Sequence, residues 1–358
     1  MRGRPRWATT ARWAVLALAL AALWNTLRHA ELRRATSLVA AIGAPILLVL
    51  VPWLLAMTCQ AAGYARILAV LGRSVSLPRL LSVLVSAEAV LMSFPAGQAL
   101  AESLNPYLLE RRCGVPVPEG LAAVAAKKTL IVLSNGLYMG VAVVVGGTWL
   151  RSASPALLGA PGLTWIVAAA AAAMVATALI TARVLFSGSV AARSYGLLGR
   201  IPSARLRRWL AERERGFTAT DEHFSALSKA SGGTLLATTT VFLGCWLLEG
   251  TEALVILRLL RVEVSYAEVL AFEVVVSLLR SLAFMVPAGL GVQDAGYVAF
   301  FGAFGVPDAP TLGVAFVLVK RARELVWIAV GFLLFVILRD VPAKANDPSR
   351  DALERPAG

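Results

Sequence analysis

Arg280 and Asp294 stand at the two ends of an apolar run that Pro287, Gly289 and Gly291 interrupt. A guanidinium offers several N–H donors in a fixed fork, the geometry that holds phosphate or carboxylate. A carboxylate fourteen positions further on can balance that charge or exchange a proton. In hydrocarbon a charged side chain and an interrupted helix are both costly, so together they mark a site. Pro287 lacks an N–H and clashes with the preceding turn, so a helix does not pass through it unperturbed. The freed backbone groups must face protein, water or ligand, and a half-helix directed at a polar cavity is expected.

A second constellation mirrors the first. Pro95-Ala96-Gly97 recurs as Pro287-Ala288-Gly289 at an offset of 192 positions, and the same offset pairs Arg66 with Arg258, Glu102 with Asp294 and Lys128 with Lys320. Gly114-Val115-Pro116 recurs as Gly305-Val306-Pro307, one residue out of step. Glu88 falls where the second copy has Arg280, and the two could face one another across a shared cavity. Further charges interrupt apolar segments at Lys127, Glu249, Glu252, Glu273, Arg321, Arg323 and Glu324. Each is expected to face the bundle interior or water. Glu273 and Arg280 share a helical face, and Lys320 and Glu324, four apart, are expected to pair locally. The candidate substrate-binding residues are Arg280, Asp294, Pro287, Gly289, Gly291, Glu88, Glu102, Pro95, Gly97, Lys128 and Lys320.

The elements that must position these residues are membrane helices. The 358 residues are 58% hydrophobic and 15% charged, with a mean hydropathy of +0.75. A soluble domain of this size needs more polar surface. Uncharged stretches near 38–65, 129–150, 162–182 and 230–248 are long enough to span a bilayer. The fold class is all-α, a polytopic membrane helical bundle. The net charge of +13 fits topology and anionic head groups and gives no reason to invoke nucleic acid. Three scattered cysteines and two isolated histidines form neither a disulfide framework nor a metal cluster. No phosphate-binding loop of the Walker type is present. We expect no metal, no cofactor and no ATP coupling; proton coupling through Glu88, Glu102 or Asp294 stays open.

The connection 187–233 carries eight Lys/Arg against four acids, which places it in the cytoplasm together with both termini. Within it, 205–210 reads as a basic amphipathic helix on the anionic inner leaflet, or as a solvated basic loop. The four arginines of residues 1–12 precede an apolar signal anchor, and a short polar tail follows 341. On this topology the two units, 38–149 and 230–341, run in opposite directions, joined by 150–229 within a single integral membrane domain. Inverted repeats with broken or re-entrant helices at corresponding positions point to a midplane transport site.

Arg280 followed by Pro287-Ala288-Gly289-Leu290-Gly291-Val292-Gln293-Asp294 resembles the Arg…Pro-x-Gly-x-Gly-x-x-Glu signature of the lysylphosphatidylglycerol synthase transmembrane-region (flippase-like) family. Asp294 stands where that family has Glu, and the first copy, Phe94 to Glu102, matches more loosely. The resemblance covers about 38–341 and leans toward free-standing, hopanoid-biosynthesis-associated members. It implies a domain that flips or transports a phospholipid, glycolipid or isoprenoid lipid in a bacterial inner membrane. It implies no aminoacyl-transferase domain within these residues, so lipid aminoacylation is not expected. The expected partners are a membrane lipid substrate, anionic inner-leaflet lipids at the basic loop and lipid-biosynthetic enzymes. A membrane enzyme or accessory protein acting on a lipid intermediate is the alternative.

Overall fold

A computed structural model describes residues 31–94, 97–187, 193–196, 214–282 and 291–338. Most of the described residues are helical, and there is no strand among them. The first apolar stretch is not one span. It breaks at Gly43, whose φ of 63° ends helix α1 (Leu32–Ile42). A 3-10 turn, Ala44–Val49, begins with Pro at its first positions and leads into α2 (Leu50–Val70). The expected start at residue 38 therefore moves to 44, because a left-handed glycine redirects the chain there.

Two 17-residue helices follow, α3 (Leu77–Ser93) and α4 (Gly97–Cys113). They pack on each other as a helical hairpin, and its tip is tight: Gly97 donates its N–H to Phe94 O at 2.9 Å. A Cβ on Gly97 would lie 2.1 Å from Leu91 O, so only glycine fits there. Helix α5 (Val117–Leu158) runs 42 residues, about 63 Å at 1.5 Å per residue. It ends on Gly159, which adopts φ 70° and donates back to Pro155 O. Helix α6 (Leu163–Leu185) returns along α5, and α7 (Glu214–Ser228) packs against α5 as well.

The second unit repeats this order. It comprises α8 (Gly232–Leu259), α9 (Tyr266–Leu282), α10 (Val292–Ala303) and α11 (Ala309–Ile337). Ser231 caps α8 by accepting the Thr234 N–H at 3.1 Å. Shifting α5 by 192 positions puts its start on residue 309, where α11 begins. The hairpin α3–α4 likewise corresponds to α9–α10. Pro95, Pro287 and Gly289 lie outside the described residues, as does the basic stretch 205–210; α3 ends at Ser93, and α9 is described as far as Leu282.

The units are interleaved. Helix α3 of the first packs on α11 of the second, and α9 of the second packs on α5 of the first. Small residues permit the approach, as they do between membrane helices. A Cβ on Gly331 would come within 2.5 Å of Val85 O and Ala89 Cβ, and one on Gly146 within 2.6 Å of Ala267 O. Helices α2 and α8 cross at Gly63, against the Phe242 ring. Apolar side chains also cover the outside: Val144 is 83% exposed, Trp165 80% and Val336 70%. In water such a surface would aggregate; in a bilayer it is the lipid face. Among the described residues, four helical segments are long and apolar enough to cross a membrane: Ala44–Val70, Val117–Leu158, Leu163–Leu185 and Gly232–Leu259.

Candidate functional site

The two hairpins point at one cavity of about 520 Å³. Phe94, Gly97 and Gln98 line it from the first hairpin, Arg280 and Ser281 from the end of the described part of α9, and Gln293 from the start of α10. Helices α5 and α8 add Lys127, Lys128, Asn135 and Glu249, while Glu88, Glu102 and Asn105 come from the first hairpin. The volume lies in the range that holds small ligands. Of the sequence candidates, Arg280, Glu88, Glu102, Lys128 and Gly97 thus share one wall.

Two of these are closed against each other. Lys128 Nζ lies 3.1 Å from Glu102 Oε1, which also accepts from Gln98 at 2.8 Å. Arg280 is different. Its side chain is exposed to the cavity, and it makes no ion pair among the described residues. Glu88 and Arg280 face the same space without forming a direct salt bridge. Glu249 and Glu88 both fall within Coulombic reach of the guanidinium.

Asp294 and Lys320 lie behind the wall. Asp294 Oδ2 accepts the N–H of Gly291 at 2.9 Å, capping α10 where Gly291 takes φ 80°. Its Oδ1 accepts from Arg321 at 2.6 and 3.0 Å. Lys320 does not pair with Glu324. It donates to Glu273 Oε1 at 2.7 Å and to the Tyr297 hydroxyl at 2.6 Å, while Glu324 takes Arg321 at 2.6 Å. Neighbouring Arg323 donates twice to Glu252. The local pairing gives way because three other helices each bring an acid to a different cation of α11: Glu273 of α9 to Lys320, Asp294 of α10 to Arg321 and Glu252 of α8 to Arg323. Around this polar seam Phe272, Tyr297, Phe300 and Phe316 pack edge-to-face or tilted, with ring centroids 5.0–5.9 Å apart.

Glu249, Lys127, Asn105 and Asn135 line the cavity but were not among the sequence candidates for the site. Glu249 and Lys127 carried a signal, a charge in an apolar run. The two asparagines carried none beyond polarity in a membrane helix. Lys127, 5% exposed, has its Nζ 4.9 Å from the Tyr64 ring centroid and no carboxylate partner among the described residues.

Fold and cavity together define a polytopic helical membrane protein built from two interleaved, hairpin-bearing units. The chain belongs to the lysylphosphatidylglycerol synthase TM region family, whose model matches residues 12–342. No curated protein and no solved structure matches it. The family makes it a membrane protein that acts on lipids.

Proposed function

We propose that the protein moves a phosphate-bearing lipid across the bilayer, with the head group in the cavity and the acyl or isoprenoid tails in the membrane. The observation that carries this reading is Arg280: a cation in the last described turn of α9, open to the cavity and without an ion pair among the described residues. A purely structural arginine at membrane depth would be expected to sit on a carboxylate, as Arg323 sits on Glu252. The reciprocal hairpins supply two half-sites that can rock against each other around a fixed ligand. In this reading both termini and the 187–233 connection are cytoplasmic.

The test is reconstitution in vesicles with an acyl-labelled phospholipid, scoring how fast label on the inner leaflet becomes accessible outside. Redistribution of chemically unchanged lipid supports transport. A new lipid product would favour an enzyme, and no redistribution at all would end the transport reading.

A further inference from the structure

The offset of 192 that relates the two units also relates the cavity to a closed cluster elsewhere in the molecule. Cys245, Glu249, Ser277 and Asn135 line the cavity from α8, α9 and α5. Their counterparts are Trp53, Met57, Val85 and Trp327 on α2, α3 and α11, and these four pack together in one apolar cluster. A thiol, a carboxylate, a hydroxyl and an amide in one unit thus give way to two indoles, a thioether and an isopropyl group in the other. The Trp53 and Trp327 rings stack with centroids 4.3 Å apart. Met57 belongs to the cluster and also lines the cavity, so the closed space adjoins the open one.

The backbones divide in the same way. Helices α3 and α11 meet at the cluster itself, where a Cβ on Gly331 would come within 2.5 Å of Val85 O. Their counterparts α9 and α5 touch at Gly146 and Ala267, ten residues from Ser277, and at Ser277 the cavity is open. One helix pair is shut at the level where its image stands apart. The shut side also carries a cost, since Trp327 Nε1 is buried and has no acceptor. Two units of one fold that rock against each other can trade conformations, the open arrangement passing from one to the other. We propose that Trp53, Met57, Val85 and Trp327 form a gate: the indole stack parts when the units exchange conformations, and the cavity gains a second opening there while closing at Ser277. The gate rests on the transport reading and adds the part that moves.

Cysteines placed in the gate test it, in the full chain freed of its own cysteines and held in lipid vesicles. Val85 is 2% exposed, and Ile256, in the main core, is 0% exposed. A fixed core leaves both silent, whereas an opening gate lets Val85→Cys react with a membrane-impermeant thiol reagent at least about tenfold faster than Ile256→Cys. Equal rates at the two positions overturn the gate. Tying Trp53→Cys to Trp327→Cys with a short reducible linker should slow lipid movement at least about tenfold, and reduction should restore it. A linked chain that moves lipid at its unlinked rate likewise overturns the gate. Labelling needs no transport, so the two readings fail separately: vesicles in which the unlinked chain moves no lipid sink transport, and the rate at Val85→Cys still judges the gate.

Discussion

Asp294→Asn and Arg280→Ala should part company, although both residues belong to one sequence signature. The Asp294 side chain is 5% exposed and holds Arg321 at 2.6 Å while capping α10 through Gly291. Asparagine keeps the shape but removes the charge and one acceptor. Hydrogen bonds to charged groups are worth about 1.5–3 kcal/mol and an N-terminal cap about 1 kcal/mol. Arg321 keeps Glu324, so a loss of about 2–4 kcal/mol follows. An unfolding entropy of about 2 cal/mol/K per residue over 358 residues converts this to a melting shift of about 3–5 °C. Arg280, exposed and without an ion pair among the described residues, has about 0–1 kcal/mol at stake, or roughly 1 °C. Transport should show the reverse order. Losing a charge-assisted contact to a phosphate costs about 1.5–3 kcal/mol, a fall of about ten- to a hundredfold in Arg280→Ala. Arg280→Lys should recover part of it, since a point charge lacks the fork. Folded Asp294→Asn, assayed well below its melting point, should retain most of its rate. Thermal melts of purified variants beside vesicle translocation decide the matter. A several-degree drop in Arg280→Ala with wild-type stability in Asp294→Asn would refute the reasoning.

Truncating Glu252 should strand the buried Arg323 and lower stability by about 3–5 kcal/mol, whereas Glu252→Met with Arg323→Met should recover most of it; a double-mutant cycle of melting temperatures checks this. Gly331→Leu should disrupt the α3–α11 contact and reduce folded yield by size exclusion, while Gly140→Ala, with nothing within 4 Å, should be silent. In a cysteine-free background, Ser187→Cys and Lys229→Cys should label from the cytoplasmic side and Arg151→Cys and Arg261→Cys from the other. The opposite pattern would overturn the assigned orientation, and labelling of Ser187→Cys and Lys229→Cys from different sides would overturn the inverted topology.

The membrane class was legible from the length of the apolar runs, and Arg280, which lines the cavity, stood out because a charge in an apolar run is conspicuous at any resolution of reading. The partners were not. Lys320, Arg321, Arg323 and Glu324 crowd five positions of α11, and helical spacing says which of them share a face, not which neighbour arrives there. Lys320 reached Glu273 on α9 and Arg323 reached Glu252 on α8, both contacts between elements far apart in sequence. Gly43 could have been read as a breaker, yet the apolar run continues through it and hides the turn. Asn105 and Asn135 come to line one cavity only once α4 and α5 pack together.

The exchange of helices between the units imposes an order on synthesis. Ser86 on α3 meets Gly331 on α11 across 245 positions, and the buried guanidinium of Arg112 donates to Leu334 O at 3.1 Å. At about 5–20 residues per second, the ribosome delivers those partners about 10–50 s after α3 emerges. For that interval the groove around Val85 and Ala89 is open and Arg112 lacks its acceptor on α11, so the nascent first half depends on lipid, translocon or chaperone until the last helix arrives.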